Sequence, residues 1–224
     1  MMNIFKKCLA LSLATILMIG AGGCMKPKSE SNEKRMLRHL REKYGQEFIT
    51  LGMRGGGYFG GGSSILDCYP AGGDPDVDYV CVEMLGTTID DTYFGIIIRE
   101  DVEAEVLAVL SDLPLPMKAY FRGDAGYFDE TFDGTKTYAD FKQWEINRGK
   151  RYRFKVTVAV PMDDTDKSEK EEYAKQIFDR LEKDNFHGRV FVRFYPSEVF
   201  EKLTRANYID LHKSEYANFS ESLN

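Results

Sequence analysis

Acidic side chains are the residues of this sequence best suited to acid–base chemistry. Asp90 and Asp91 are adjacent in the run TIDDTYFGIII, which is typical of a β-strand. Neighbours in a strand point to opposite faces of a sheet, so these two carboxyl groups cannot share a proton as a catalytic pair. Asp78, Glu83 and Asp90 could instead be brought together by the fold. No recognisable catalytic motif accompanies them, and we predict no catalytic residues.

Two cysteines, Cys68 and Cys81, flank a turn-forming segment in ILDCYPAGGDPDVDYVCVEML. The strand-like runs on either side predict a β-hairpin. If the hairpin is centred between Gly73 and Asp74, Cys68 lies opposite Tyr79; a register displaced by one residue on each strand places Cys68 opposite Cys81. A disulfide between the two is one alternative, which an extracytoplasmic location favours, and two buried free thiols are the other. The sequence leaves both open.

Neither the histidines nor the densest acidic run predicts a metal site. The acidic run Asp163-Asp164-Thr165-Asp166 lacks the central glycine and the glutamate at the twelfth position of a calcium loop. This run precedes a predicted helix, and acidic side chains at the start of a helix interact favourably with the helix dipole. No other ligand stands at metal-binding spacing from any of the three histidines; these are His39, His187 and His212.

Two further motifs are also better explained by local structure than by ligand binding. The glycine-rich stretch RGGGYFGGGSS is followed by another strand-like run, not by the helix that a phosphate-binding loop requires, so we predict a hairpin loop. Arg122-Gly123-Asp124 spells an adhesion tripeptide, but Gly123 more simply ends a strand in a turn. We predict no cofactor.

The N-terminus carries the clearest signal in the sequence. Lys6 and Lys7 precede an apolar run from Cys8 to Ile19, which is followed by small residues. This is the order of regions in a secretory signal peptide. The uncharged stretch ends at Cys24 and is shorter than the roughly 20 residues that a membrane-spanning helix needs.

The segment Gly20-Ala21-Gly22-Gly23-Cys24 resembles the lipobox of bacterial lipoproteins, with Ala21 where the family most often has leucine. The resemblance implies cleavage between Gly23 and Cys24 and attachment of a diacylglycerol to the Cys24 thiol, with further acylation by palmitate. It also implies a cell-membrane location on the extracytoplasmic face, with the lipid as the contact to the membrane. The alternative is an ordinary secretory signal in which Cys24 is incidental.

Composition excludes some partner classes for the remainder of the chain. The full sequence has a formal net charge of −6 at pH 7, and loss of Lys6 and Lys7 with the signal would make the mature chain more acidic. Nucleic-acid binding and a polybasic membrane patch both need clustered cations, so we expect neither. The 15 phenylalanines and 13 tyrosines supply apolar material for a core.

We expect a signal peptide at residues 1–23, a polar tether at 24–34 and a globular region at 35–224, either as one body or as two subdomains, 35–114 and 115–224. In the first half, Leu37, Leu40 and Tyr44 form one face of a helix. A meander of three or four strands follows, with TIDDTYFGIII as its last strand. The helix REDVEAEVLAVLSDLP then ends this half.

The second half predicts a βαβ unit. RYRFKVTVAVP alternates as a half-buried strand, a helix with a Ser168/Glu171 capping box follows, and RVFVRFYP is the next strand. MKAYFR is a short strand, and Thr137 with Asp140 opens another helix. We expect one or two helices in residues 197–224. Together the two halves predict an α+β fold.

Two classes of function are consistent with these features. The first is a lipid-anchored, non-catalytic domain of the cell envelope that binds an envelope protein or peptide, and we favour it. The second is an envelope hydrolase with carboxylates assembled in space. A two-lobed solute-binding lipoprotein is disfavoured because the mature chain is short for two closing lobes.

Overall fold

The computed structural model describes residues 30–55, 62–122, 126–148, 154–163, 166–212 and 216–223. Contacts within the chain separate Met1–Ser31 from a second unit, Asn32–Asn224, whose structure is described below. Its helices and strands in chain order are α1 (Asn32–Tyr44), β1 (Phe48–Gly55), β2 (Ser64–Pro70), β3 (Val80–Leu85), β4 (Thr88–Asp91), α2 (Tyr93–Ile97), α3 (Arg99–Val109), β5 (Lys118–Phe121), α4 (Tyr138–Arg148), β6 (Phe154–Pro161), α5 (Lys167–Lys183), β7 (Gly188–Tyr195), α6 (Ser197–Phe200) and β8 (Asn218–Leu223).

The first sheet is a meander of β1, β2, β3 and β4, in which each strand pairs antiparallel with the next. Strand β2 alternates strictly between buried and half-buried residues, as expected for a sheet covered on one face. Helix α1 supplies cover, and Met36 and Leu40 of this helix are fully buried in the same cluster as Leu66 and Val82. The predicted meander is therefore confirmed, with four strands.

The second sheet has the order β5-β6-β7-β8. Strands β6 and β7 are parallel and are joined by α5, whereas β5 and β8 pair antiparallel with their neighbours. This arrangement confirms the βαβ unit, and the two sheets with their helices confirm the α+β class.

Strand β6 is more deeply buried than its alternating sequence predicts. The prediction of a half-buried strand is wrong because β6 lies between β5 and β7 and is covered on both faces. One face, with Val156 and Val158, joins the largest apolar cluster. On the other face Ala159 is fully buried in a second cluster, which includes Phe200 and Leu203.

The run predicted as the last strand of the meander divides into β4 and the short helix α2. The strand ends at Asp91 because that carboxylate turns inward and accepts a hydrogen bond from the backbone N–H of Tyr93 at 2.9 Å. Aromatic and β-branched residues then continue in a helix, and Phe94 in this helix and Ile98 directly after it are fully buried. Burial of one apolar face overrides the strand propensity of these residue types.

Helix α5 begins at Lys167, two residues earlier than the predicted Ser168/Glu171 capping box implies. Asp166, not Ser168, is the N-cap, and its side chain accepts a hydrogen bond from the N–H of Glu169. Ser168 donates its hydroxyl to the same Asp166 carboxylate at 2.6 Å. The Thr137/Asp140 box at α4 forms as predicted.

The C-terminal segment contains less helix than expected. Among its described residues, 197–212 and 216–223, only Ser197–Phe200 is α-helical, and Asn218–Leu223 forms β8, which pairs antiparallel with β7. The polar sequence NFSESL has weak strand propensity, but an edge position leaves one side of the strand in solvent. The prediction of one or two helices in this segment is corrected accordingly.

Helix α1 begins at Asn32, so residues 32–34, assigned to the tether from their polar composition, are helical. Asn32 donates a hydrogen bond from Nδ2 to the Ser64 hydroxyl, and Thr50 donates its hydroxyl to Glu33, which ties the helix start to the sheet.

Cys24, the predicted site of lipid attachment, lies outside the described residues. Within the described ranges, the helices are too short or too polar for any to cross a membrane.

Candidate functional site

The two cysteines of the β2–β3 hairpin are free. Cys68 lies opposite Val80, and Cys81 lies opposite Asp67, so the observed register falls between the two that the sequence suggested. Adjacent positions of paired strands project to opposite faces of the sheet. Cys68 therefore points into the core and Cys81 points to the outer face, and the disulfide alternative is corrected to two free thiols.

The environment of each thiol opposes ionisation. Burial raises the pKa of Cys68 to about 12. The pKa of Cys81 is also raised by burial, and its Sγ atom lies 3.2 Å from the Tyr127 hydroxyl. A thiol becomes a good nucleophile when a base or a positive charge lowers its pKa. The charge of Arg54 acts in this direction on Cys81, but burial outweighs it.

Of the three carboxylates considered for a catalytic group, the fold brings only Glu83 and Asp90 together. Asp78 lies in the β2–β3 loop and is held by Arg99, whose Nη2 is 3.0 Å from Oδ1. Glu83 and Asp90 are directly opposed on β3 and β4. Burial, followed by the charge of Asp129, raises the pKa of Asp90.

Asp91 points to the opposite face from Asp90, as the strand geometry predicted. It is fully buried, and its carboxylate is bonded to Lys43 at 2.7 Å and to the Tyr44 hydroxyl at 2.8 Å. Lys43 also donates to the backbone oxygen of Phe128 at 3.2 Å. This network joins α1, β4 and the segment after β5, so its role is structural.

The histidines occupy separate environments. His39 lies on α1, and burial followed by the charge of Lys43 lowers its pKa. His212 packs edge-on against the rings of Tyr195 and Tyr216. Across the ranges that the structure describes, no group of three histidine, cysteine or acidic residues could hold a metal ion.

Several sequence motifs fall partly or wholly on residues that are not described. These are the glycines at positions 56, 57, 60 and 61, Gly123 and Asp124 of the adhesion-like tripeptide, and positions 164 and 165 of the acidic run. Asp163 of the same run accepts hydrogen bonds from the backbone N–H and the hydroxyl of Ser197, at the start of α6.

Exposed apolar side chains concentrate along β1, which forms one edge of the first sheet. Ile49, Leu51 and Met53 have relative exposures of 44%, 49% and 41%. Ile49 pairs with Tyr69 and Met53 pairs with Leu66, two residues on opposite faces of β2. Apolar groups therefore flank the outer edge of β1 from both faces, and no described strand pairs with that edge. We call these three residues the β1 apolar edge.

A β-bulge interrupts β1 within the apolar edge. Thr50 lies opposite Cys68 and Gly52 lies opposite Asp67, which leaves Leu51 without a partner in β2. Beyond the bulge, Arg54 forms a bidentate ion pair with Asp67 at 2.6 and 2.7 Å. Tyr79 donates its hydroxyl to the same Asp67 carboxylate, so these three side chains fix the outer face beside the edge.

One cleft in the described structure has a volume of about 650 Å³. It lies where the β2–β3 loop, the end of β5 and the turns after α6 meet. Its apolar lining residues are Pro75, Val77, Ile96, Phe121, Ala206 and Ile209. Its polar lining residues are Asp76, Tyr79, Arg122, Arg205, Tyr208 and Asp210.

A buried carboxylate positions one wall of the cleft. Glu103 of α3 accepts a hydrogen bond from the backbone N–H of Phe121 at 2.8 Å and one from Nη2 of Arg205 at 2.5 Å. The Nε atom of Arg205 is buried and has no hydrogen-bond partner. Tyr208 stacks on Tyr120, with ring centroids 4.4 Å apart.

Sequence reasoning did not identify this cleft. Glu103 and Arg205 are separated by 102 positions, and each lies in a segment that carries no motif. The one usable signal is Glu103 itself, an acidic residue among the apolar positions of α3. A charge on the buried face of a helix implies a partner from elsewhere in the fold.

Comparison with known proteins gives little further information. No protein-family model and no curated protein matches this sequence. The structure is similar to the crystal structure of a DUF5037 family protein from Ruminococcus gnavus ATCC 29149, with a TM-score of 0.46 and 15% sequence identity. The match covers 84% of this chain and 89% of that chain, and likeness at this level carries no functional argument.

Proposed function

We propose that this chain is a lipid-anchored protein of the cell envelope and that its folded body binds a partner protein without catalysing a reaction. The lipobox-like segment ending at Cys24 supports the anchor, and the β1 apolar edge supports the binding role. The apolar edge is the observation that carries the proposal. Exposed apolar side chains gathered along one strand edge are a feature of interaction sites.

The geometry of β1 favours contact through side chains. An unpaired strand edge can accept a partner strand through its main-chain groups. The bulge at Leu51 breaks the ladder between Thr50 and Gly52, so a long added strand would lose its register there. Ile49, Leu51 and Met53 remain available to fit an apolar depression on the partner.

The polar groups of the first sheet support a non-catalytic role. Asp67, Asp78 and Asp91 are each held by a cation, namely Arg54, Arg99 and Lys43. These ion pairs connect structural elements and occupy the carboxylate oxygens. A carboxylate that acts as a general acid or base needs its oxygens available to the substrate.

Lipid attachment is tested with Cys24→Ala in the full chain, expressed in a bacterium that processes lipoproteins. We expect the wild-type protein to incorporate labelled palmitate and to sediment with membranes. The variant is expected to lose the label. Palmitate label that persists in Cys24→Ala would contradict the assignment of Cys24.

Partner binding is tested by crosslinking and affinity purification of the full chain from its own envelope. Leu51→Asp with Met53→Asp introduces two charges into the β1 apolar edge and is expected to reduce recovery of the crosslinked partner at least about tenfold. Ile146→Asp is the matched control, because Ile146 on α4 is 72% exposed and lies outside this edge. Equal loss in both variants, or no loss in the first, would contradict the proposed surface.

A further inference from the structure

The cleft of about 650 Å³ has the dimensions of a small-molecule site. Ligand pockets in proteins usually have volumes of about 300–1,000 Å³ and combine apolar walls with a few fixed polar groups. This cleft has both components, and its walls come from four segments that are separated in the sequence. It is separate in composition from the β1 apolar edge, so the inference goes beyond the function proposed above.

The charged groups of the cleft include both cations and carboxylates, with no excess of positive charge. Arg122 and Arg205 provide guanidinium donors, and Asp76 and Asp210 provide carboxylate acceptors. Arg205 is in addition compensated by the buried Glu103. With two guanidinium groups against these two lining carboxylates and Glu103, the cleft offers no excess positive charge for a small anion.

The polar groups of the cleft suit a ligand whose own groups both donate and accept hydrogen bonds. Arginine can only donate and ionised aspartate can only accept, so both capacities are present on the walls. A hydroxyl group combines one donor with two acceptor lone pairs, and it can therefore bond to either type of residue. Neutral polyhydroxyl rings meet this requirement without introducing a charge.

The apolar part of the lining suits the same ligand. Tyr79, Phe121 and Ile209 provide ring and aliphatic surface, and Tyr79 and Ile209 remain partly exposed to solvent. A pyranose ring has C–H groups on its faces and hydroxyls at its edges. Its faces can pack on these side chains while its hydroxyls reach the charged groups.

Several walls are fixed in the absence of a ligand. Tyr79 is held by Asp67 and also accepts a hydrogen bond from Arg54 at 3.2 Å. Arg99 donates to the backbone oxygen of Val77 at 3.0 Å. A preorganised site pays less conformational entropy on binding.

We propose that this cleft is a binding site for a neutral carbohydrate. The ligand packs on Tyr79 and Ile209 and bonds through its hydroxyls to Arg122, Arg205 and Asp210. The chemistry specifies a neutral glycan unit of one or two rings.

The proposal is tested with the full chain in a detergent that carries no sugar headgroup. The probes are glucose, galactose, N-acetylglucosamine and the disaccharides maltose and chitobiose, with glucuronate and a mixture of free amino acids as charged comparisons. Binding is measured by saturation-transfer NMR and by calorimetric titration. We expect saturable binding of at least one neutral sugar and weaker binding of the charged probes.

Two variants connect the binding to the cleft. Ala206→Trp fills the cleft from an exposed position, and Asp210→Asn removes a charged acceptor; each is expected to weaken the neutral sugar at least about tenfold. Ile146→Trp adds the same ring at an exposed position outside the cleft and is expected to leave binding unchanged. Thermal unfolding of each variant checks that the fold is retained.

Three results would overturn the proposal. They are the absence of saturable binding for every neutral sugar, tighter binding of a charged probe than of any neutral sugar, and sugar binding that is unchanged in folded Ala206→Trp and Asp210→Asn. None of these results bears on the β1 apolar edge, so failure here leaves the partner-binding proposal to its own test.

Discussion

The Nζ atom of Lys43 lies 2.7 Å from Oδ2 of Asp91, and the two side chains retain only 5% and 0% of their exposure. The second carboxylate oxygen accepts hydrogen bonds from the Tyr44 hydroxyl and the N–H of Tyr93. Both carboxylate oxygens of Asp91 therefore accept hydrogen bonds. A buried ion pair needs such additional hydrogen bonds to offset the free-energy cost of removing its charges from water. The pair holds the first helix against the end of the meander.

Asp91→Asn is expected to destabilise the protein by about 3–5 kcal/mol, because it leaves the Lys43 charge buried without a counter-charge. The free energy of unfolding measured in urea tests this. Arg38→Gln is the control, since the Arg38–Glu42 pair on the same helix is exposed and should contribute less than about 0.5 kcal/mol. Similar losses in both variants would contradict the structural importance of the buried pair.

Alkylation of the native full chain should distinguish the two thiols of the β2–β3 hairpin. Cys81 is partly exposed and Cys68 is fully buried with its pKa raised to about 12, so we expect Cys81 to react at least about tenfold faster. Mass spectrometry of the peptides that contain each residue gives the rates. Both thiols should react readily in urea, and a disulfide-linked peptide would contradict the observed register.

The Arg54–Asp67 pair predicts a specific dependence of stability on pH. The hydrogen bond from Arg54 is the main cause that lowers the pKa of Asp67 in the folded protein. Its ionised form therefore stabilises the fold above the ordinary carboxyl pKa, and this contribution is lost as the pH falls through the lowered value. We expect Asp67→Asn to be less stable than wild type at about pH 7, with the difference shrinking toward about pH 3.

Asp90→Asn provides a comparison of opposite sign. Burial raises the pKa of Asp90, so its ionised form costs stability at neutral pH. The variant should be more stable than wild type at about pH 7, and the gain should disappear as the pH falls below the ordinary carboxyl pKa. Urea unfolding of Asp67→Asn and Asp90→Asn across this pH range tests both assignments. They would be contradicted if, at about pH 7, both variants differed from wild type in stability with the same sign.

The start of β7 requires glycine. Gly188 has φ of +150°, and a Cβ atom there would lie 2.2 Å from the backbone oxygen of Phe154 on the paired strand. We expect Gly188→Ala to cost about 3 kcal/mol or more in the free energy of unfolding. Gly52→Ala, where a Cβ meets no atom within 4 Å, should change it by about 0.5 kcal/mol or less.

The sequence predicted most of the fold where periodicity is strong. The βαβ unit followed from the alternation in β6 and the helical spacing of Ile177, Phe178 and Leu181. The prediction from sequence failed where burial overrides strand propensity. Phe94 and Ile98 are of residue types that favour strands, but they lie in and beside a helix. It also failed at β8, where pairing with β7 compensates for a polar sequence.

The candidate surfaces were less predictable than the fold. The hairpin of Cys68 and Cys81 was expected, but its register depends on a loop whose turn is fixed by Asp74, Asp78 and Arg99. The sequence sign of the bulge at Leu51 is the isolated Gly52 in the strand-like run FITLGMR, which does not by itself specify where the register shifts. The cleft depends on contacts between residues about a hundred positions apart, which local spacing does not encode.

The bulge at Leu51 also affects self-assembly of this chain at high local concentration, as membrane anchoring would produce. A straight, apolar edge strand would act as a template for the stacking of strands from neighbouring molecules into fibrils. By kinking that template, the extra residue leaves only short segments on either side for a neighbour to extend. Deleting Leu51 would straighten the strand and invite such growth.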